Sequence, residues 1–185
     1  MSWGDIDAFV DSAFHGQLTV EEVAEVMITG FPVYRRDRLG HTALHWTIHT
    51  RSRQLMVMLV AMGGNVNQKT RSGETLMFLS AWYGTADILR LVIDSGGSVN
   101  EPDDDGNTPL LSIISNYDDA LARLRVLLSC PELHLNAKCG GKTVGEWAED
   151  RSPSIAWIIA EEHHKRVRWS ALRSVWIAAT VLSYI

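Results

Sequence analysis

Several short patterns in the chain carry side chains capable of chemistry. Gly140-Gly141-Lys142-Thr143 has the residues that close a phosphate-cradling loop, where glycine amides and a lysine meet phosphate oxygens. That loop also needs a glycine at the position held by Asn136, and no strand is evident before it. Glu101, Asp103, Asp105 and Gly106 imitate the first half of a calcium loop, but Ser112 stands where a bidentate glutamate must close the cage. His41, His45 and His49 are four residues apart, and two of them could share a helix face as zinc ligands. His163 and His164 have no ligand partners nearby, and Cys130 and Cys139 read as unpaired thiols. No nucleophile–base set assembles from the remaining residues. The chain is therefore expected to be no enzyme, with no catalytic residue, cofactor, metal or small-molecule substrate.

Composition narrows the class further. A chain of 185 residues with 46% hydrophobic content has enough apolar material for one folded domain. Seventeen Lys and Arg against 22 Asp and Glu give a net charge of -5 and a pI near 5.8, which provides no general footprint for nucleic acid. Two cysteines cannot make a disulfide scaffold, so a reducing compartment is expected. The start, Met1-Ser2-Trp3-Gly4-Asp5, has neither a basic nor an apolar leader segment. An intracellular setting follows, cytoplasmic first and nuclear as the alternative. Tryptophan is in surplus, with seven against four Tyr and four Phe.

The elements that position these residues show a period. Gly40, Gly73 and Gly106 are 33 residues apart, Thr42, Thr75 and Thr108 keep the same step, and so do Asn67 and Asn100. Gly141 comes 35 residues after Gly106 and Asn136 comes 36 after Asn100, which places a short insertion between Asn116 and Asn136. Each copy reads as a glycine turn, a short helix opened by threonine, and a second, more apolar helix. Gly63-Gly64 and Gly96-Gly97 stop that second helix. One such unit cannot cover its own apolar face, so neighbours must stack.

The pattern resembles the ankyrin repeat, whose usual core is G-x-T-P-L-H-x-A-A with a second helix ending L-L-x-x-G-A-x-V-N. Gly40-His41-Thr42-Ala43-Leu44-His45, Gly73-Glu74-Thr75-Leu76-Met77 and Gly106-Asn107-Thr108-Pro109-Leu110 carry the resemblance, over roughly residues 37–162. Proline at the second motif position survives only as Pro109, and histidine only as His45. The implied fold is an all-α solenoid of helix-turn-helix units with β-turn fingers and a degenerate cap at each end. The opening cap spans about 5–36, repeats about 37–69, 70–102 and 103–137, and a degenerate repeat 138–162. The register turns the Gly140–Thr143 pattern into the last repeat's turn, and the family pattern makes His45 a tie between the turn and its own threonine.

The resemblance implies a non-catalytic protein–protein interaction module, an adaptor, scaffold or assembly subunit, binding through the concave face. By register, the groove slots are Trp46, Leu79, Ser112 and Trp147, with His49, Trp82 and Tyr83 further along the inner helices. Tryptophan and tyrosine bring large contact area at little rotamer cost, as interface anchors do. Arg38, Arg71 and Asp104 lie on the fingers. Residues 163–185 read as an extra helix, basic and then apolar. Trp169, Leu172 and Trp176 are its expected docking residues, against the stack, a partner protein or, less favoured, a membrane surface.

Overall fold

Threonine or serine at the head of an apolar run opens each of the first five described helices. α1 (Ala43–Thr50), α2 (Arg53–Ala61), α3 (Leu76–Tyr83), α4 (Ala86–Asp94), α5 (Pro109–Ser115) and α6 (Ala120–Leu128) follow in order. Thr75 accepts the Phe78 amide, Thr108 the Leu111 amide, and Ser52 and Thr85 do the same for α2 and α4. Each thus satisfies a first-turn amide that has no partner inside the helix. At the other end Gly63 and Gly96 take φ of 87° and 86°, where a Cβ would be strained, and turn the chain out of α2 and α4.

The structure, a computed structural model, describes residues 33–116 and 120–182, with side chains as far as Arg173. The helix pair expected as the opening cap falls almost wholly outside the described residues. The chain forms two compact units, divided between His134 and Leu135.

In the first unit the inner helices pack in the order α1, α3, α5 and the outer helices in the order α2, α4, α6. Each inner helix also packs on the outer helix that follows it. Leu44, Ile48, Met56, Leu59, Leu76, Met77, Ile88 and Leu89 are fully buried between the layers. Each such side chain contributes roughly 1.5–3 kcal/mol on leaving water. The insertion is absorbed in two places. Ala120 follows Ala86 by 34 residues rather than 33, so one residue enters the α5–α6 loop, and the rest lies beyond Leu128 around Ser129 and Cys130.

In the second unit β1 (Lys138–Cys139) and β2 (Lys142–Thr143) form a two-stranded hairpin, then α7 (Val144–Arg151) and α8 (Pro153–Leu182) follow. Gly140 and Gly141 have φ of 58° and 82°, the backbone that a tight two-residue hairpin demands. α7 and α8 pack on each other, with Val144, Ala148, Ile155 and Ile159 buried. The expected boundary at residue 162 falls inside α8. The outer helix of the last repeat and the tail are one helix of 30 residues, about 45 Å long at 1.5 Å per residue.

Candidate protein-binding surface

The fingers are built from their own side chains. Asp37 Oδ1 accepts the amides of Leu39 and His41, and Asp103 Oδ1 those of Asp105 and Asn107. Thr70 does part of this work in the middle finger, accepting the Glu74 amide at 3.1 Å. Successive fingers then bond to each other: Arg71 N–H donates to Leu39 O at 2.9 Å and Asp104 N–H to Ser72 O at 3.1 Å. A second ladder runs behind the helices. Asn67 donates to Gly96 O and accepts from Ser98 N–H, and Asn100 repeats this with Glu132 and His134. These contacts fix one finger against the next without help from the core.

His45 ties finger to helix. Its Nδ1 lies 3.0 Å from the Thr42 amide and 2.9 Å from the Thr42 hydroxyl, and its Nε2 lies 3.0 Å from Gln68 O. The amide must donate and the carbonyl must accept, so the ring is neutral with its proton on Nε2. Burial pushes its pKa down to about 4. His41 and His45 pack edge-on at 5.8 Å, and both His45 nitrogens face protein groups in this arrangement. The four-residue histidine spacing therefore builds a turn.

The remaining patterns have similar fates. Asp103 serves its own turn, and Glu101 pairs with Lys69 at 2.8 Å. Lys142 reaches Asp150 at 2.6 Å and stands 5.3 Å from the Trp147 ring centre. Thr143 caps α7, with Glu146 bonded back to its amide and hydroxyl. Those two bonds hold the Glu146 carboxyl below its usual range.

The expected groove residues separate by accessibility. Trp46 is 8% exposed, and Leu79 and Ser112 are also buried. Trp46 instead stacks between histidines, 4.6 Å from His41 and 5.5 Å from His49. His49 is exposed and 5.8 Å from Tyr83, which is 50% exposed. Tyr83 is 5.9 Å from half-buried Trp82, and Trp82 the same distance from buried Phe78. A continuous aromatic strip thus runs from the first finger across α1 to α3. Burial and nearby His41 lower the His49 pKa. Trp147 belongs to the second unit, where its indole N–H donates to Cys139 O.

Sequence reasoning missed what anchors the end of α3. The Arg123 side chain is 1% exposed, and its guanidinium donates to the carbonyls of Ala81 and Trp82 and, at 3.3 Å, to Asn116 O. Asn116 Nδ2 adds a bond to Trp82 O at 2.6 Å. These groups satisfy the last carbonyls of the helix that presents Trp82 and Tyr83. The signal was present, because Arg123 shares the apolar face of Ala120, Leu124 and Leu127.

On α8, Val167, Trp169 and Leu172 are 51%, 72% and 57% exposed, so this stretch is uncovered rather than packed on its own unit. Trp176 lies beyond the described side chains. Lys165 pairs with Glu161 and Arg166 with Glu162, so two of the four tail cations are neutralised one turn back. Among the described residues no helix is long and apolar enough to cross a membrane.

A family model described as ankyrin repeat matches residues 39–71. No curated protein matches the chain. Ankyrin repeats generally mediate protein–protein interaction and are typically non-enzymatic. The matched segment runs from within the first finger through α1, α2 and the Asn67 bridge, and residues 70–134 repeat the finger and the bridge. The likeness to an ankyrin repeat is thus carried by residues 39–71.

Proposed function

We propose that the chain is a non-catalytic adaptor or assembly subunit that binds a partner protein on the concave side of its first unit. The observation carrying this reading is the aromatic strip ending in exposed His49 and Tyr83, held on a hydrogen-bonded scaffold. A preformed aromatic surface loses little conformational freedom on binding. Trp46, Leu79 and Ser112 are buried, so partner contact falls to His49, Trp82, Tyr83, Arg38, Arg71 and Asp104. The setting proposed is intracellular and cytoplasmic. α8 is the second docking element, through Trp169 and Leu172, with Trp147 beside the hairpin of the same unit.

The test is affinity capture with Tyr83→Ala and His49→Ala beside the parent chain. Both side chains are accessible, so the variants should fold and capture should fall at least about tenfold, as for a central aromatic anchor. Unchanged capture by the double variant removes the strip from the interface. Exposed Trp169 and Leu172 beside Arg168 and Arg173 favour a second reading, a tail lying on an anionic membrane surface. Co-sedimentation with phosphatidylserine vesicles at low salt decides it, since no pelleting removes the tether.

A further inference from the structure

We infer that the partner segment recognised by the first unit is an acidic peptide, seated with its carboxylates against the first two fingers. This rests on the groove reading above and adds the chemistry of the occupant. Arg38, Arg71 and Asp104 stand at one register position of three successive fingers, and all three are exposed. The bonds Arg71 N to Leu39 O and Asp104 N to Ser72 O hold these positions side by side. Arg71 leans further toward the first finger: its Cγ lies 3.2 Å from the point where a Cβ on Gly40 would sit. Arg36, also exposed, completes a cationic corner on that finger.

The acids around this corner are turned inward while the arginines are not. Asp37 gives both carboxylate oxygens to its own turn, accepting from Leu39, His41 and the His41 ring. Glu74 accepts from the hydroxyls of Ser72 and Thr70. Arg36, Arg38 and Arg71 have no ion pair among the described residues, so their guanidinium groups face solvent as bidentate carboxylate receivers. The cationic row then ends: Lys69 is neutralised by Glu101 and also donates to Pro102 O, and the next finger offers Asp104. A net-acidic chain thus presents a local basic patch beside its aromatic strip. That patch selects an acidic ligand by attraction at two fingers and repulsion at the third.

The experiment is selection of a random dodecapeptide phage library on the full chain, followed by fluorescence anisotropy with a synthetic peptide of the leading sequence. The expected pool is rich in Asp and Glu with at least one aromatic residue. Binding should fall about tenfold or more in Arg38→Glu/Arg71→Glu, strengthen in Asp104→Arg, and weaken with added salt. Thermal melts of both variants should match the parent, because the replaced side chains are exposed. A pool without acidic enrichment, or one indifferent to the double charge reversal, overturns the inference. If such a pool is still lost in Tyr83→Ala, the groove reading survives alone. If no pool emerges, both readings fall.

Discussion

At the scale of single residues, the molecule relies on small polar groups whose partners are set by register. Thr42, Thr75 and Thr108, with Asn67 and Asn100, were legible in the sequence because each repeats one local geometry. His45 shows what that geometry costs when the solvent changes. Its folded pKa of about 4 lies below the unfolded value of 6.5, so between these values the unfolded chain binds the extra proton. Stability from this residue is complete above about pH 6.5 and is lost as pH falls toward 4. At about 1.4 kcal/mol per pKa unit, the full loss is ~3 kcal/mol. Burial is the main cause; the bond to Gln68 O and nearby Asp37 favour a charge on the ring, and His41 and Arg36 oppose it. Urea midpoints measured from pH 7 to 5 should decline in the parent and stay nearly flat in His45→Gln. Equal slopes would place the pH dependence elsewhere. Trp46 is the contrasting case, where slot arithmetic named the position but did not reveal that two histidine rings cover it.

Elements hold their places through fingers and helix ends, and substitutions there should be graded by what lies next to them. Gly73 and Gly96 both have positive φ, 78° and 86°, so alanine is strained at each. At Gly96 a Cβ would meet nothing within 4 Å, whereas at Gly73 it would lie 2.6 Å from the Asp104 amide nitrogen. That amide donates the bond joining the second and third fingers. Gly73→Ala should therefore cost at least ~1 kcal/mol more than Gly96→Ala, through the lost bond and the forced separation. Chemical denaturation of the two variants checks it, and equal midpoints would mean that the finger ladder contributes little. Arg123 makes the same point at the end of α3. Replacing it with Met leaves the Ala81 and Trp82 carbonyls without their charged donor in a buried site. The expected loss is about 3 kcal/mol at an unchanged m-value. The fold was readable from period and caps, but this tie was not, because it joins residues 41 and 42 positions apart. Only the oddity of an arginine on an apolar face pointed to it.

At the scale of the whole molecule, charge is divided along the chain. Every acidic residue lies at or before Glu162, and Lys165, Arg166, Arg168 and Arg173 follow it. The sequence made the tail look like four unmatched cations on a separate helix. Instead, α8 runs unbroken from Pro153, and its i, i+4 pairs return two cations to Glu161 and Glu162. Neutralisation of this kind could not be seen until the helix was known to be continuous, because an i, i+4 contact needs helical backbone on both sides. What remains uncovered is Val167, Trp169 and Leu172 beside Arg168 and Arg173. Buried Ile155 and Ile159 anchor α8 at its other end, and the described side chains from Val167 to Arg173 are all exposed. Truncation at Val167 should accordingly leave the denaturation midpoint within ~0.5 kcal/mol of the full chain, as expected for exposed residues. The same truncation should raise solubility, because it removes exposed tryptophan and leucine. A loss of several kcal/mol would instead show that the tail is part of the folded unit, and α8 would then cease to be a docking element at all.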